Sequence, residues 1–354
     1  MNEQAPYQAL ADRLNSFPQG FPPTADQAEL KLLAKLFTPA EAHFAAHFSL
    51  SYTPLAAAAE KAGIPLPEAR QLAKSMTQKG LTHLRREDVG IEMMLLPFII
   101  GFYENQVATI DEEFAQLFED YYSQASPDFM ALQPQFHRVI PVNETIGATV
   151  EILPGQSLVE LVASKKAWAV QDCICRKQQA LLGKGCDHPV KNCLVMSDVP
   201  GVFDGQTERD ALTLESALTL LDEAAESGLI HTISNQQSDI TYICNCCTCS
   251  CGILRSIADA PIANVVARSA YVSQVDETLC IACGNCDTAC QFSAISIDGL
   301  AHVDANRCVG CGLCIIECPE SALSLALRPM DEILETPYSF SDWLAQRAAA
   351  RRLL

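Results

Sequence analysis

Eight of the seventeen cysteines fall into two copies of one spacing near the C-terminus. The first copy is Cys280, Cys283, Cys286 and Cys290; the second is Cys308, Cys311, Cys314 and Cys318, followed by Pro319. Thiols at every third position let a short loop wrap one face of a metal–sulfur cube, with a fourth thiolate arriving from outside the loop. Zinc knuckles pair their Cys-x-x-Cys steps and stop at four ligands per ion, so a third evenly spaced cysteine, twice over, speaks against zinc. Disulfide scaffolds are short and secreted, whereas this chain has 354 residues and an odd number of cysteines. Iron–sulfur chemistry is what remains.

The double run resembles the bacterial two-cluster ferredoxins. In that fold the fourth ligand comes from the other copy. The resemblance therefore assigns Cys280, Cys283, Cys286 and Cys318 to one [4Fe-4S] cluster and Cys308, Cys311, Cys314 and Cys290 to the other. Gln291 stands where the first copy would usually carry the proline that Pro319 supplies in the second. Proline there shapes the loop exit and ligates nothing, so the cluster is expected to survive. Gly284, Gly310 and Gly312 let the backbone curl and turn N–H groups toward sulfur. Residues 294–297 and 322–325 read as the short strands that close such a module.

The other nine cysteines form no familiar spacing. Cys173 and Cys175 follow an expected strand at 168–172, Cys186 and Cys193 lie in a glycine-containing loop, and Cys244, Cys246, Cys247, Cys249 and Cys251 crowd into eight positions after an expected strand at 240–243. Free cysteine packs like a small hydrophobe, but five in eight positions exceeds what packing needs. Unoccupied, such thiols would be prone to oxidation. All nine are candidate ligands. Thiolate-only sites select zinc, Cu(I) or iron–sulfur, and the downstream clusters favour a third [4Fe-4S] or other cluster, with four-thiolate zinc as the alternative. One grouping puts Cys173, Cys175, Cys186 and Cys193 around one centre and four of the later five around another; a single mixed site fits equally. His188 and His231 are more readily hydrogen-bonded bystanders than ligands.

The elements that must position these thiols form an α+β, multidomain chain. Residues 1–24 read as a flexible tail and 25–92 as a winged-helix-like module. Within that module Thr38-Pro39-Ala40-Glu41 is a capping box, 54–62 and 67–79 are helices stopped by Gly63 and Gly80, and 81–85 alternates like a strand. A helical connector (93–137, with a long helix over 98–124) leads to a cysteine-rich α/β domain at 138–265. That domain has expected strands at 138–142, 148–153 and 230–233 and helices at 157–164 and 214–227. The ferredoxin-like module spans 266–328, and 329–354 is a C-terminal helix and tail.

Composition narrows the function. The formal charge is −19, a surface that repels nucleic-acid phosphate and suits docking to a basic patch on a redox partner. The winged-helix-like stretch from Asp26 to Gly90 holds eight lysines and arginines against seven acidic residues, too balanced for a DNA footprint. The longest apolar run, 93–103, contains Pro97 and Gly101 and is too short for a bilayer. With no targeting segment read at the N-terminus, a thiol-rich chain of this kind is expected in a reducing cytoplasm. Gly183-Lys184-Gly185 lacks the glycines and the strand-to-helix context of a phosphate loop.

Cys173-Ile174-Cys175-Arg176, Gly185-Cys186-Asp187-His188-Pro189 and Ile243-Cys244-Asn245-Cys246-Cys247 combine with the two end modules. From about Leu30 to Leu325 the chain resembles a family of 4Fe-4S proteins of anaerobes and sulfur metabolisers. Ser250 stands in what resembles a cysteine position of that family, which leaves Cys249 and Cys251 to carry the site. The Cys246-Cys247 pair also resembles the motif that binds non-cubane clusters in heterodisulfide reductases. The resemblance implies iron–sulfur binding and electron transfer, as a carrier or an accessory subunit of an oxidoreductase rather than a catalyst by itself. It implies no small-molecule substrate. The alternatives are a redox enzyme subunit with an open-site cluster in the middle domain, and a winged-helix regulator that senses through iron–sulfur.

Overall fold

The computed structural model describes residues 4–88, 90–142, 157–259 and 265–353. The expected strand at 148–153 lies outside them. The fold is mixed α+β and divides into two compact units, Met1–Leu132 with Lys177–Lys184 and Leu344–Leu354, and Gln133–Arg176 with Gly185–Trp343.

The first unit opens with helices α1 (Ala5–Asn15), α2 (Ala28–Leu36) and α3 (Pro39–Ala45). The segment read as a tail is therefore helical: α1 buries Leu10, Ala11 and Leu14, and Phe17 and Phe21 follow them into the core. The expected capping box forms at α3, where Glu41 N–H donates to Thr38 Oγ1 and Thr38 N–H to the Glu41 carboxylate. Next come β1 (Thr53–Pro54), α4 (Leu55–Ala62), α5 (Leu66–Gln78), β2 (Thr82–Glu87) and β3 (Gly90–Leu95). The strands form an antiparallel sheet in the order β1-β3-β2. Residues 98–110 turn irregularly instead of opening a long helix; α6 (Glu112–Met130) begins only where Asp111 caps it by accepting from Phe114 N–H. The buried guanidinium of Arg347 closes this unit, donating to the carbonyls of Pro18, Leu132 and Phe129.

In the second unit, β4 (His137–Val139), α7 (Leu158–Ala163), β5 (Ala167–Asp172), α8 (Ile174–Leu181), β6 (Lys191–Ser197), β7 (Asp210–Leu212), α9 (Leu214–Glu226), β8 (Ile230–Ser234), β9 (Tyr242–Cys246), α10 (Arg255–Asp259) and β10 (Val266–Ala267) follow in turn. Only the first turn of α8 belongs to this unit. Seven strands form one sheet in the order β10-β4-β8-β9-β6-β5-β7, antiparallel except for the β10–β4 pair. Helices α7 and α9 lay Leu158, Val162, Ala217 and Leu221 against Leu194, Met196, Ile233 and Ile243 on one face. Because β6 runs opposite to both neighbours, the C-terminal ends of β5 and β9 and the N-terminal end of β6 meet at one edge. The remainder comprises β11 (Tyr271–Val275), α11 (Asn285–Ala289), β12 (Ile295–Asp298), β13 (Leu300–Val303), α12 (Leu313–Ile316) and β14 (Leu323–Leu327), with β11–β14 and β12–β13 as antiparallel pairs; of α13 (Phe340–Ala350) only the residues up to Trp343 belong here, and the rest, with Arg347, belong to the first unit.

Candidate metal centres

The eight C-terminal thiols converge on two cavities. Cys280, Cys283, Cys286 and Cys318 line the first, with Val275, Ile297 and Leu323 among its apolar walls. Cys290, Cys308, Cys311 and Cys314 line the second, beside Phe292, Ile295 and Leu325. Each cavity thus takes three thiols from one loop and one from the other. None of the eight is in a disulfide.

The two loops are near-copies in conformation. Gly284 and Gly312 both sit at left-handed φ (86° and 88°) before short helices. Cys290 Sγ accepts from Ala294 N–H at 3.3 Å, and Cys318 Sγ from Ala322 N–H at 3.2 Å. Such donors favour thiolate over thiol and stabilise a reduced, more anionic cluster. At Gly310 a Cβ would meet the Tyr271 carbonyl oxygen and Ser269 Oγ at 2.2 Å, so only glycine lets this loop approach β11. Its counterpart Ala282 keeps positive φ (57°). Burial pushes the Cys314 thiol up to about 12, a cost that binding a cation removes. Four convergent thiols, apolar walls and backbone donors to sulfur fit a cubane in each cavity.

The nine middle thiols divide into two sets, because successive residues of a strand point to opposite faces. The expected strand at 240–243 runs on through Cys246. Ile243 faces the α7/α9 core, while Cys244 and Cys246 take the other face. Leu194 pairs with Ile243 across the sheet, which sets Cys193 beside Cys244. Contacts run from Cys193 to Cys244, to Cys246, to Cys251, to Cys175 and to Cys173, and Cys173 interacts with Cys193 to close the set. Cys247, one residue past Cys246, turns instead toward Ala224, Leu229 and Cys186. There the ligand atoms of Cys186, Cys247 and Cys249 lie within 4.8 Å of one another, and Cys186 Sγ is 3.9 Å from Cys247 Sγ. Ser250 Oγ stands 3.3 Å from Cys186 Sγ.

This grouping separates Cys186 from Cys173, Cys175 and Cys193, unlike the division by sequence order. Neither imidazole is among the ligand atoms of the triad: His188 meets Cys186 through its backbone, and His231 Nδ1 is 2.7 Å from Asn245 Oδ1. Burial acts to raise the Cys186 thiol, but the Ser250 hydroxyl and its thiol neighbours outweigh this and bring it to about 7. Contact with Cys244, and then with Cys251, holds Cys246 at about 6 despite burial, while Cys173, Cys244 and Cys251 are pushed well up. In the six-thiol set the proton of Cys246 leaves most readily, and a bound cation would offset the cost of ionising Cys173, Cys244 and Cys251.

Arg176 has no role in the sequence reading beyond ending the Cys173-Ile174-Cys175-Arg176 segment, yet it is central here. It is only 3% exposed, and its guanidinium donates to Asn192 Oδ1 and the Asn245 carbonyl, both at 2.8 Å. The same Nη2 that donates to the Asn245 carbonyl also points at Cys247 Sγ, 3.6 Å away. Burial opposes its charge, but Cys173, Cys247 and Cys246 more than compensate, so its pKa is raised. The signal available in the sequence was an arginine directly after Cys175.

Gln291 joins the two regions of this unit. Its side-chain oxygen accepts from Thr248 N–H at 2.8 Å, and its amide donates to the Gly228 carbonyl. The departure from proline therefore has a structural use, tying the residue after Cys290 to the backbone between Cys247 and Cys249.

Residues 279–322 match the 4Fe-4S dicluster domain. That domain implies two [4Fe-4S] clusters and suggests electron transfer. No curated protein matches the chain. No helix among the described residues is long and apolar enough to cross a membrane.

Proposed function

We propose that this chain is an iron–sulfur electron-transfer protein, or a redox-complex subunit, with two clusters held by crossed ligands and a further metal at Cys186, Cys247 and Cys249. The observation that carries the reading is the convergence of three thiols from one loop and one from the other on each C-terminal cavity. Bound there, the clusters supply reversible one-electron transfer. The protein's own residues set the conditions. Cys283 is exposed, and Leu279 and Ile281 stand out beside it, a face suited to a redox partner. Cys308 and Cys314 are buried, and the buried guanidinium of Arg328 donates to the Cys308 carbonyl at 2.6 Å. Through Cys290 and Gln291 the second cavity is linked to the triad's backbone.

The triad suits a single ion. Zn–S bonds of about 2.3 Å in a tetrahedron place sulfurs about 3.8 Å apart, and Cys186 and Cys247 are 3.9 Å apart. Three thiolates leave a fourth position beside Ser250. The helix–strand order α3-β1-α4-α5-β2-β3 and its three-stranded sheet support a winged-helix module in the first unit. Its balanced charge favours docking to a protein partner over DNA. A cytoplasmic setting accords with this many free thiols.

Iron, acid-labile sulfide and zinc determination on anaerobically purified protein, with EPR of the reduced form, tests the proposal. Two interacting S = 1/2 cubane signals and at least eight iron atoms are expected for a dicluster domain; four or fewer would refute it.

A further inference from the structure

Six thiols remain once the two cavities and the triad are filled. Cys173, Cys175, Cys193, Cys244, Cys246 and Cys251 form a closed succession of contacts at the sheet edge where β5 and β9 end and β6 begins. The positions are enforced by the backbone. Cys244 and Cys246 share a strand face by alternation, Cys193 is fixed beside Cys244 by register, and Cys173 follows directly from β5. Cys251 is set by the turn in which its N–H donates to the Cys247 carbonyl at 3.0 Å. Thr232 Oγ1 approaches Cys246 Sγ at 3.4 Å, and the Gln171 amide approaches Cys193 Sγ at 4.0 Å. Both can donate to a thiolate.

We infer that these six thiols form a second middle-domain centre, separate from the triad, that holds a polynuclear iron–sulfur cluster. One tetrahedral ion uses four thiolates, so six around one site call for more than one metal atom. A buried thiolate set is anionic, and an unpaired buried charge is costly. Arg176 answers that charge. Its guanidinium interacts electrostatically with Cys173 and Cys246, and its Nε meets no hydrogen-bond acceptor among the described residues. Without an anionic occupant beside Cys173 and Cys246, that cation would have only the Asn192 and Asn245 oxygens and the single Cys247 thiol as partners. Iron and sulfide are preferred over zinc because the same chain carries a 4Fe-4S dicluster domain, whose clusters are assembled from both.

The triad separates the centres experimentally, because Cys249 is exposed and Cys186 half-buried, so their replacement leaves the sheet edge intact. The variant carrying Cys186→Ser and Cys249→Ser, purified anaerobically, is expected to lose the triad metal yet keep iron and labile sulfide beyond the eight atoms of the dicluster domain. Adding Cys175→Ser and Cys251→Ser is expected to remove that excess and spare the ferredoxin EPR signals. Iron of only eight atoms in the first variant, with no further metal, would overturn the inference and leave the dicluster reading standing. Zinc in place of the excess iron would overturn the cluster assignment. In a variant with Cys175→Ser and Cys251→Ser alone, loss of the triad metal as well would overturn the separation into two centres.

Discussion

Replacing Gln291 with alanine removes the link between the loop after Cys290 and the turn at Thr248. The side-chain oxygen accepts from both Thr248 N–H, at 2.8 Å, and Thr248 Oγ1, at 3.2 Å, and the amide donates to the Gly228 carbonyl. Each intramolecular hydrogen bond contributes about 1 kcal/mol net. Gln291 and Thr248 are only half-buried, so water recovers part of the loss. A local cost of about 1–2 kcal/mol is therefore expected, a factor of roughly 5–30 in the opening equilibrium of the turn. The assay is amide hydrogen exchange by mass spectrometry on a peptide covering 246–252, where Gln291→Ala should exchange faster by about that factor. Peptides from β12 and β13 should exchange at the wild-type rate, because the hydrogen bonds of the Gln291 side chain go to Thr248 and Gly228. Unchanged exchange over 246–252 would show that the turn holds itself and that Gln291 ties nothing.

Cys318→Ser should disturb the cluster expected at Cys280, Cys283 and Cys286, while the signal belonging to Cys308, Cys311 and Cys314 persists; EPR damage confined to the latter would refute the crossing. Buried His137, hydrogen-bonded to Tyr242 and Thr232, is held at about 3 by desolvation. Its folded pKa lies below the ordinary 6.5, so its neutral form contributes fully above that pH and the contribution is lost as pH falls toward 3. The loss is about 2 kcal/mol at pH 5, and chemical denaturation should show a shallower acid dependence for His137→Asn than for wild type. Thr38→Ala breaks the capping box of α3 and should lower the stability of the first unit by about 1 kcal/mol in urea unfolding. The chain should bind duplex DNA no tighter than about micromolar at physiological salt; a nanomolar, sequence-specific footprint would revive the regulator reading.

What the sequence made legible is local. The cysteine spacing near the C-terminus carries the two loops within itself, and Thr38 with Glu41 carries a helix start. Helix α1 is hard to see because prolines and glutamines give residues 1–24 the composition of a tail, although Leu10 and Leu14 hold helical spacing. The middle thiols were harder for a specific reason. Their grouping depends on whether β9 ends before Cys244 or after Cys246, and a difference of three residues decides which thiols share a face. Tyr242-Ile243-Cys244-Asn245-Cys246 did hold the signal, an alternating run continuing past Ile243. Once the strand extends that far, the adjacent pair Cys246 and Cys247 must part, one to each side. Arg176, donating to the carbonyl of Asn245 just before them, lies against both sets. Any change in the charge of one set is therefore felt by a cation shared with the other, which makes the two middle sites electrostatically coupled although no cysteine belongs to both.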